Sequence, residues 1–201
     1  MNQYIFFTGA PGSRWSGVSQ VFRDNIDSVD NSDLTPDKTY KHHLYSGHVG
    51  NYYGPGMLYG DWLDIQFGSR DLWETEIARS YRDDTKSIKL VLSHNFAHYL
   101  DDLITEFPES KLVLCYRRSN ECFDWWHAAG GWDISYPSYR WYRNDAKMQR
   151  EIRKQNRAIL DFATQKNLEL KQPDVNFFRQ HFDIDRDFVF EKDVSIAVYS
   201  K

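Results

Sequence analysis

The sequence predicts an α/β fold built on a mainly parallel central sheet, and three observations carry that expectation. Short apolar runs at Tyr4 to Thr8, Ser87 to Leu92 and Lys111 to Tyr116 have the length and near-continuous hydrophobicity of buried parallel strands. Each is followed by a segment whose apolar residues recur at helical spacing. A chain of 201 residues with 41% apolar and 16% aromatic content is long enough for one full core and short for two. A single domain over 1–201 is therefore expected.

The first strand runs into Gly9-Ala10-Pro11-Gly12-Ser13-Arg14, and Ser16 to Asp27 then sets Val18, Val21, Phe22 and Ile26 on one side of a helix. Residues 28–75 keep no clear helical period. Glycines at 47, 50, 54, 56, 60 and 68 alternate there with Tyr45, Tyr52, Tyr53, Tyr59, Trp62 and Phe67, marking turns and close backbone approaches. This aromatic, Gly-rich excursion, at about 40–68, has two equal readings: the lining of an acceptor site, or a loop packed by its own rings.

A short helix is expected around Leu72 to Ile77, and the second strand ends at Ser93-His94-Asn95. Phe96 to Phe107 has helical spacing and Pro108 ends it. The third strand ends at Arg117-Arg118-Ser119, where Ser119 or Asn120 caps a helix running into Trp125-Trp126. One of these tryptophans is expected in the core, leaving the other to stack on a ligand. Residues 142–166 form the longest helix candidate, with a charged, solvated surface. Leu168 to Leu170 reads as a further strand, and Asp187 to Tyr199 as a hairpin turning near Lys192-Asp193.

The formal charge of −4, with no basic tail, argues against a nucleic-acid footprint while allowing a basic pocket for one small anion. Cys115 and Cys122 are expected as reduced core residues. No apolar run reaches membrane-spanning length, and Met1 leads directly into a strand, so a cytoplasmic protein is expected. His42, His43 and His48 have no cysteine or carboxylate partner at metal-binding spacing, and no metal is expected. The composition is compatible with a homo-oligomer.

A loop between a strand and a helix N-terminus can hold a phosphate with backbone amides alone. Set against G-x-x-x-x-G-K-[ST], the segment has Gly9 first, Arg14 at the second glycine, Trp15 at the lysine and Ser16 at the hydroxyl. This is the signal for a three-layer P-loop-like architecture. In a parallel sheet, ligands collect beyond the carboxyl ends of the strands. Those ends present residues 9–16, Ser93-His94 and Arg117-Arg118-Ser119.

Taken together, these segments resemble the sulfotransferases that use 3'-phosphoadenosine 5'-phosphosulfate. That family has a G-x-P-[KR]-S-G-T-T-like loop; here Gly9, Pro11 and Ser13 match, Gly12 and Arg14 replace the basic residue and the glycine, and Ser16 keeps one of two hydroxyls. Leu92-Ser93-His94 is similar to the family's K-T-H, and Leu114 to Arg118 to its C-R-N-P-like turn. The resemblance covers roughly residues 4–24 and 88–127. It implies sulfuryl transfer to a small-molecule or carbohydrate hydroxyl without a metal, nucleic acid or membrane partner.

The resemblance also implies roles for individual residues. His94 is expected as the catalytic base, with Arg14 and Ser13 stabilising the transferring group. Gly9, Pro11, Gly12, Ser13, Arg14, Trp15 and Ser16 are expected to hold the phosphosulfate. Arg117 or Arg118, with Ser119, is expected to hold the 3'-phosphate. A nucleotide-dependent kinase with an altered phosphate loop and a non-catalytic nucleotide-binding protein are the alternatives.

Overall fold

Apolar residues that alternate along one central strand organise both faces of the molecule. The computed structural model describes residues 3–30, 39–42, 45–49, 51–81, 88–135, 138–140, 142–182, 184 and 194–201. In chain order these contain β1 (Gln3–Gly9), α1 (Trp15–Asn25), β2 (Thr39–His42), β3 (Tyr45–Val49), α2 (Arg70–Ser80), β4 (Ile88–Leu92) and α3 (Leu100–Glu106). They continue with β5 (Lys111–Tyr116), α4 (Ser119–Ala128), α5 (Asp145–Gln165), α6 (Val175–Phe182) and β6 (Ser195–Tyr199).

The main sheet has the order β4-β1-β5-β6. β1 pairs in parallel with β4 on one side and β5 on the other, while β6 runs antiparallel to β5. Tyr4 and Phe6 face a cluster with Trp73, Phe96, Leu103, Ile159 and Phe162. Ile5 and Phe7 point the other way, to Val18, Phe22, Phe177 and Phe178. The two-residue period of a strand thus serves two helical coats: α1 and α6 on one face, α2, α3 and α5 on the other. The expected α/β class with a mostly parallel sheet is what the chain adopts, as a four-stranded mixed sheet.

Several local expectations change. Leu168 to Leu170 is not a strand: only Lys171 bridges to Ile196, while Leu168 and Leu170 pack as partly buried side chains at the core's edge. The run from Phe96 to Phe107 is split, because Ser93 caps a tight 3-10 turn over His94–His98 and Tyr99, at φ −135°, intervenes before α3. Of the Asp187 to Tyr199 hairpin, residues 187–193 lie outside the described residues, and β6 is its described arm. The sequence reading missed α6 and the antiparallel β2–β3 pair.

Much of the aromatic excursion is core. Tyr53, Trp62 and Phe67 pack around Trp73, and Tyr59 packs on Tyr53. The Tyr53 amide donates to the Leu92 carbonyl at 2.8 Å, laying this segment along the end of β4. Among the described side chains of this segment, Tyr52 is the contribution to the cleft described below; the side chains of 40–50 lie outside the described residues. Among the described residues no helix is long and apolar enough to cross a membrane.

Candidate functional site

The site begins where β1 stops between its two parallel neighbours, the position at which open α/β sheets collect ligands. Gly9 pairs with Cys115, and the chain then folds back so that the Ser13 amide donates to the Ala10 carbonyl at 2.9 Å. Gly12 sits at φ +79°, and Arg14 at φ 68° and ψ 16° is also left-handed. A residue with a Cβ adopts that conformation at a cost of about 1 kcal/mol. Trp15 opens α1, and the N-cap residue Arg14 supplies no side-chain cap to its first turn. Such a terminus presents amide hydrogens and the positive end of the helix dipole.

β4 delivers His94 to the same end of the sheet. The Ser93 amide donates to the Phe7 carbonyl at 3.1 Å, and the Thr8 hydroxyl donates to the His94 carbonyl at 3.2 Å. Ser93 and His94 are therefore tied to the end of β1, just before the loop begins. Pro11, Gly12, Arg14, Trp15 and Ser16 line one cleft together with His94. Its remaining wall is largely aromatic, with Tyr52, Trp125, Trp126, Tyr139 and Tyr142.

His94 is buried, and desolvation pushes its pKa down to about 4, so the ring is neutral at neutral pH. Tyr142 Oη lies 2.8 Å from its Nε2 and 3.1 Å from its Nδ1, and the Gln155 side-chain amide nitrogen lies 3.0 Å from Nδ1. The same Gln155 nitrogen is 3.0 Å from Glu151 Oε1, which also takes a hydrogen bond from His98 Nε2. Burial acts to raise the Glu151 carboxyl, but the His98 contact and the Gln155 amide outweigh it and hold the pKa down to about 2.

β5 brings Arg117 to the loop's other flank. Its side chain is 12% exposed, its Nε is 3.5 Å from Glu121 Oε2, and neither Nε nor Nη1 makes a hydrogen bond among the described residues. The Arg14 and Arg117 guanidinium carbons both lie over the Trp125 ring, 4.5 and 5.7 Å from its centroid. Arg118 points elsewhere: it is 73% exposed and pairs with Glu121 at 2.9 Å. Ser119 Oγ accepts from the Asn156 amide at 3.0 Å, and that amide also donates to the Arg117 carbonyl at 2.7 Å. Asn156 on α5 thereby fixes the end of β5.

Comparison with protein-family models, curated proteins and solved structures finds no match to this chain. The site is read on its own chemistry.

Of the residues expected from the sequence, Pro11, Gly12, Arg14, Trp15, Ser16 and His94 come together in the cleft. Gly9 lies at its root. Ser13 is fully buried beneath the loop, and its Oγ has no partner among the described residues. Cys115 and Cys122 are free and buried, and burial raises both thiols, which keeps them protonated. Trp126 is buried while Trp125 is partly open.

Sequence reasoning missed Tyr142, Glu151, Gln155 and Asn156. The last two had a detectable signal. Met148, Ile152, Gln155, Asn156, Ile159 and Phe162 recur three or four apart, so two amides fall on the apolar stripe of a long polar helix.

Proposed function

We propose that the protein is a sulfotransferase-like enzyme with a three-layer P-loop-like architecture. It transfers a sulfuryl group from 3'-phosphoadenosine 5'-phosphosulfate to a small-molecule or sugar hydroxyl. The observation that carries this reading is that Arg14 and Arg117 both lie over Trp125, beside the cleft that holds His94, with two buried Arg117 nitrogens that make no hydrogen bond among the described residues. Buried guanidinium N–H groups call for acceptors, and a phosphate or sulfate supplies several at once.

The loop's backbone supports the same reading. Arg14 keeps a left-handed conformation at the position where a phosphate-binding loop has its second glycine. With Arg14 supplying no side-chain cap to α1, the amides at its start and the Arg14 charge would hold the phosphosulfate. Arg117, rather than the exposed Arg118, would take the 3'-phosphate. In the reaction a bond forms between the acceptor oxygen and sulfur, and the bond from sulfur to the bridging phosphate oxygen breaks. The acceptor's proton is released, and the 3',5'-bisphosphate carries away the negative charge. Donors aimed at that bridging oxygen stabilise it as charge develops.

His94 and Tyr142 supply polar atoms among the rings of the cleft, where an acceptor hydroxyl would sit. Faces of Tyr, Trp and Met148 suit a flat, largely apolar acceptor such as a phenol. Incubation with donor labelled in its sulfuryl group, against a panel of phenols and sugars, tests the reading. Labelled acceptor supports it. Label moving from the γ-phosphate of magnesium-ATP to the same panel, with none from the sulfuryl donor, overturns it in favour of a kinase.

A further inference from the structure

The polar chain behind His94 determines which of its ring nitrogens carries the hydrogen. Gln155 is fully buried, and its one amide nitrogen touches both Glu151 Oε1 and His94 Nδ1, each at 3.0 Å. Its carbonyl oxygen has no hydrogen-bond partner among the described residues. Turning the amide over would set that oxygen against the Glu151 carboxylate, two acceptors at hydrogen-bond distance with no hydrogen between them. An ionised carboxylate only accepts, so Glu151 requires the N–H side of Gln155.

A primary amide has two hydrogens on that nitrogen. One goes to Glu151, and the other points to His94 Nδ1, which must then offer its lone pair. A neutral imidazole carries one hydrogen, and it is left on Nε2. Tyr142 Oη lies 2.8 Å from Nε2 and 3.1 Å from Nδ1, within reach of both ring nitrogens, and Asn95 Oδ1 lies 3.5 Å from that oxygen to receive the Tyr142 hydrogen. Tyr142 serves either nitrogen, so the assignment is set by the Gln155 and Glu151 contacts.

We infer that Glu151 and Gln155 are positioning residues that hold His94 as the Nε2–H tautomer, so that the ring serves the cleft as a hydrogen-bond donor through Nε2 rather than as a base. Its consequence for catalysis rests on the sulfuryl-transfer reading: a donor at this point stabilises an anionic oxygen and leaves no lone pair for the acceptor's proton. Taking that proton at Nε2 would first require the hydrogen to stand on Nδ1, where it would oppose the Gln155 amide. Burial of His94, which keeps the ring uncharged, preserves the distinction between its two nitrogens.

Nitrogen NMR of the ligand-free, full-length chain with labelled histidine reads the tautomer directly, the His94 signals being assigned from their loss in His94→Gln. A pyrrole-type Nε2 and a pyridine-type Nδ1 are expected at pH 7. Glu151→Gln removes the demand for an N–H, and Gln155→Leu removes the donor to Nδ1. Both variants are expected to shift His94 towards a mixture of tautomers. A pyrrole-type Nδ1 in the unaltered protein overturns the inference, as does an unchanged tautomer in both variants. Because the measurement needs no donor or acceptor, its failure is separate from a failure of the sulfuryl-transfer reading.

Discussion

Gly12 lies so close to Cys122 that a Cβ added to it would stand 1.9 Å from the Cys122 carbonyl oxygen. The β1–α1 loop is therefore seated against the backbone of α4, and glycine is required there on two grounds, space and a φ of +79°. Gly12→Ala is expected to destabilise the protein by about 1–2 kcal/mol from the left-handed backbone alone, with the displacement of α4 adding to it. For a domain of this size that lowers the melting temperature by roughly 2–8 °C. An unchanged thermal transition would mean that the loop is not held against α4.

Arg14 separates stability from anion binding. Glycine at φ 68° relieves the backbone strain but loses the guanidinium stacked on Trp125. These effects are opposite in sign and each about 1 kcal/mol, so Arg14→Gly is expected to unfold within about 1 kcal/mol of the unaltered protein. Its affinity for the 3',5'-bisphosphate should fall by roughly tenfold to a hundredfold, the worth of a charge-assisted hydrogen bond. Calorimetric titration alongside thermal unfolding reads both quantities.

Arg117 and Arg118 are neighbours in sequence with different surroundings. Arg117→Met is expected to weaken bisphosphate binding by about 1.5–3 kcal/mol, with a smaller effect on ligands lacking the 3'-phosphate. Arg118→Gln removes an exposed partner of Glu121 and is expected to change binding by less than about 1 kcal/mol. Equal losses in the two variants would remove Arg117 from the site.

Acid should destabilise the fold through His94. Its folded pKa, about 4, lies below the ordinary 6.5, so between those values the unfolded chain binds the extra proton. Stability is then full above pH 6.5 and declines as pH falls towards 4, by about 1.4 kcal/mol per unit at most. Glu151 acts in a lower window, below its ordinary 4.5, where its depressed pKa removes stability as the carboxylate is protonated. His181, lowered mainly by burial, adds to the decline above that. Denaturant unfolding at pH 7 and pH 5 should show that His94→Gln is spared about 2 kcal/mol of the loss. Identical losses would place the titration elsewhere.

The sheet was legible because its three parallel strands are apolar runs bounded by Gly9, Ser93 and Arg117, and β5 falls on the expected residues. The β1 loop, His94 and the Arg117 turn could be found because strand ends expose chemistry that sequence order preserves. What supports them was less visible. Tyr142 lies just before α5, and Gln155 and Asn156 lie within it, where polar residues normally signal a solvated surface. The place of Gln155 and Asn156 on the apolar stripe marks them as buried, but which groups they meet depends on α5 packing across the ends of β4 and β5, a long-range relationship that local period does not encode. The rings at 53–67 carried the opposite ambiguity: a core around Trp73 and a ligand wall have the same composition, and only packing distinguishes them.

Donor recognition is the central claim, and calorimetric titration of the unaltered protein with 3'-phosphoadenosine 5'-phosphate, ATP, and ATP with magnesium tests it most directly. Tighter binding of the 3',5'-bisphosphate than of either ATP sample is the predicted result, with the preference lost in Arg117→Met. Preferential binding of ATP with magnesium would contradict it.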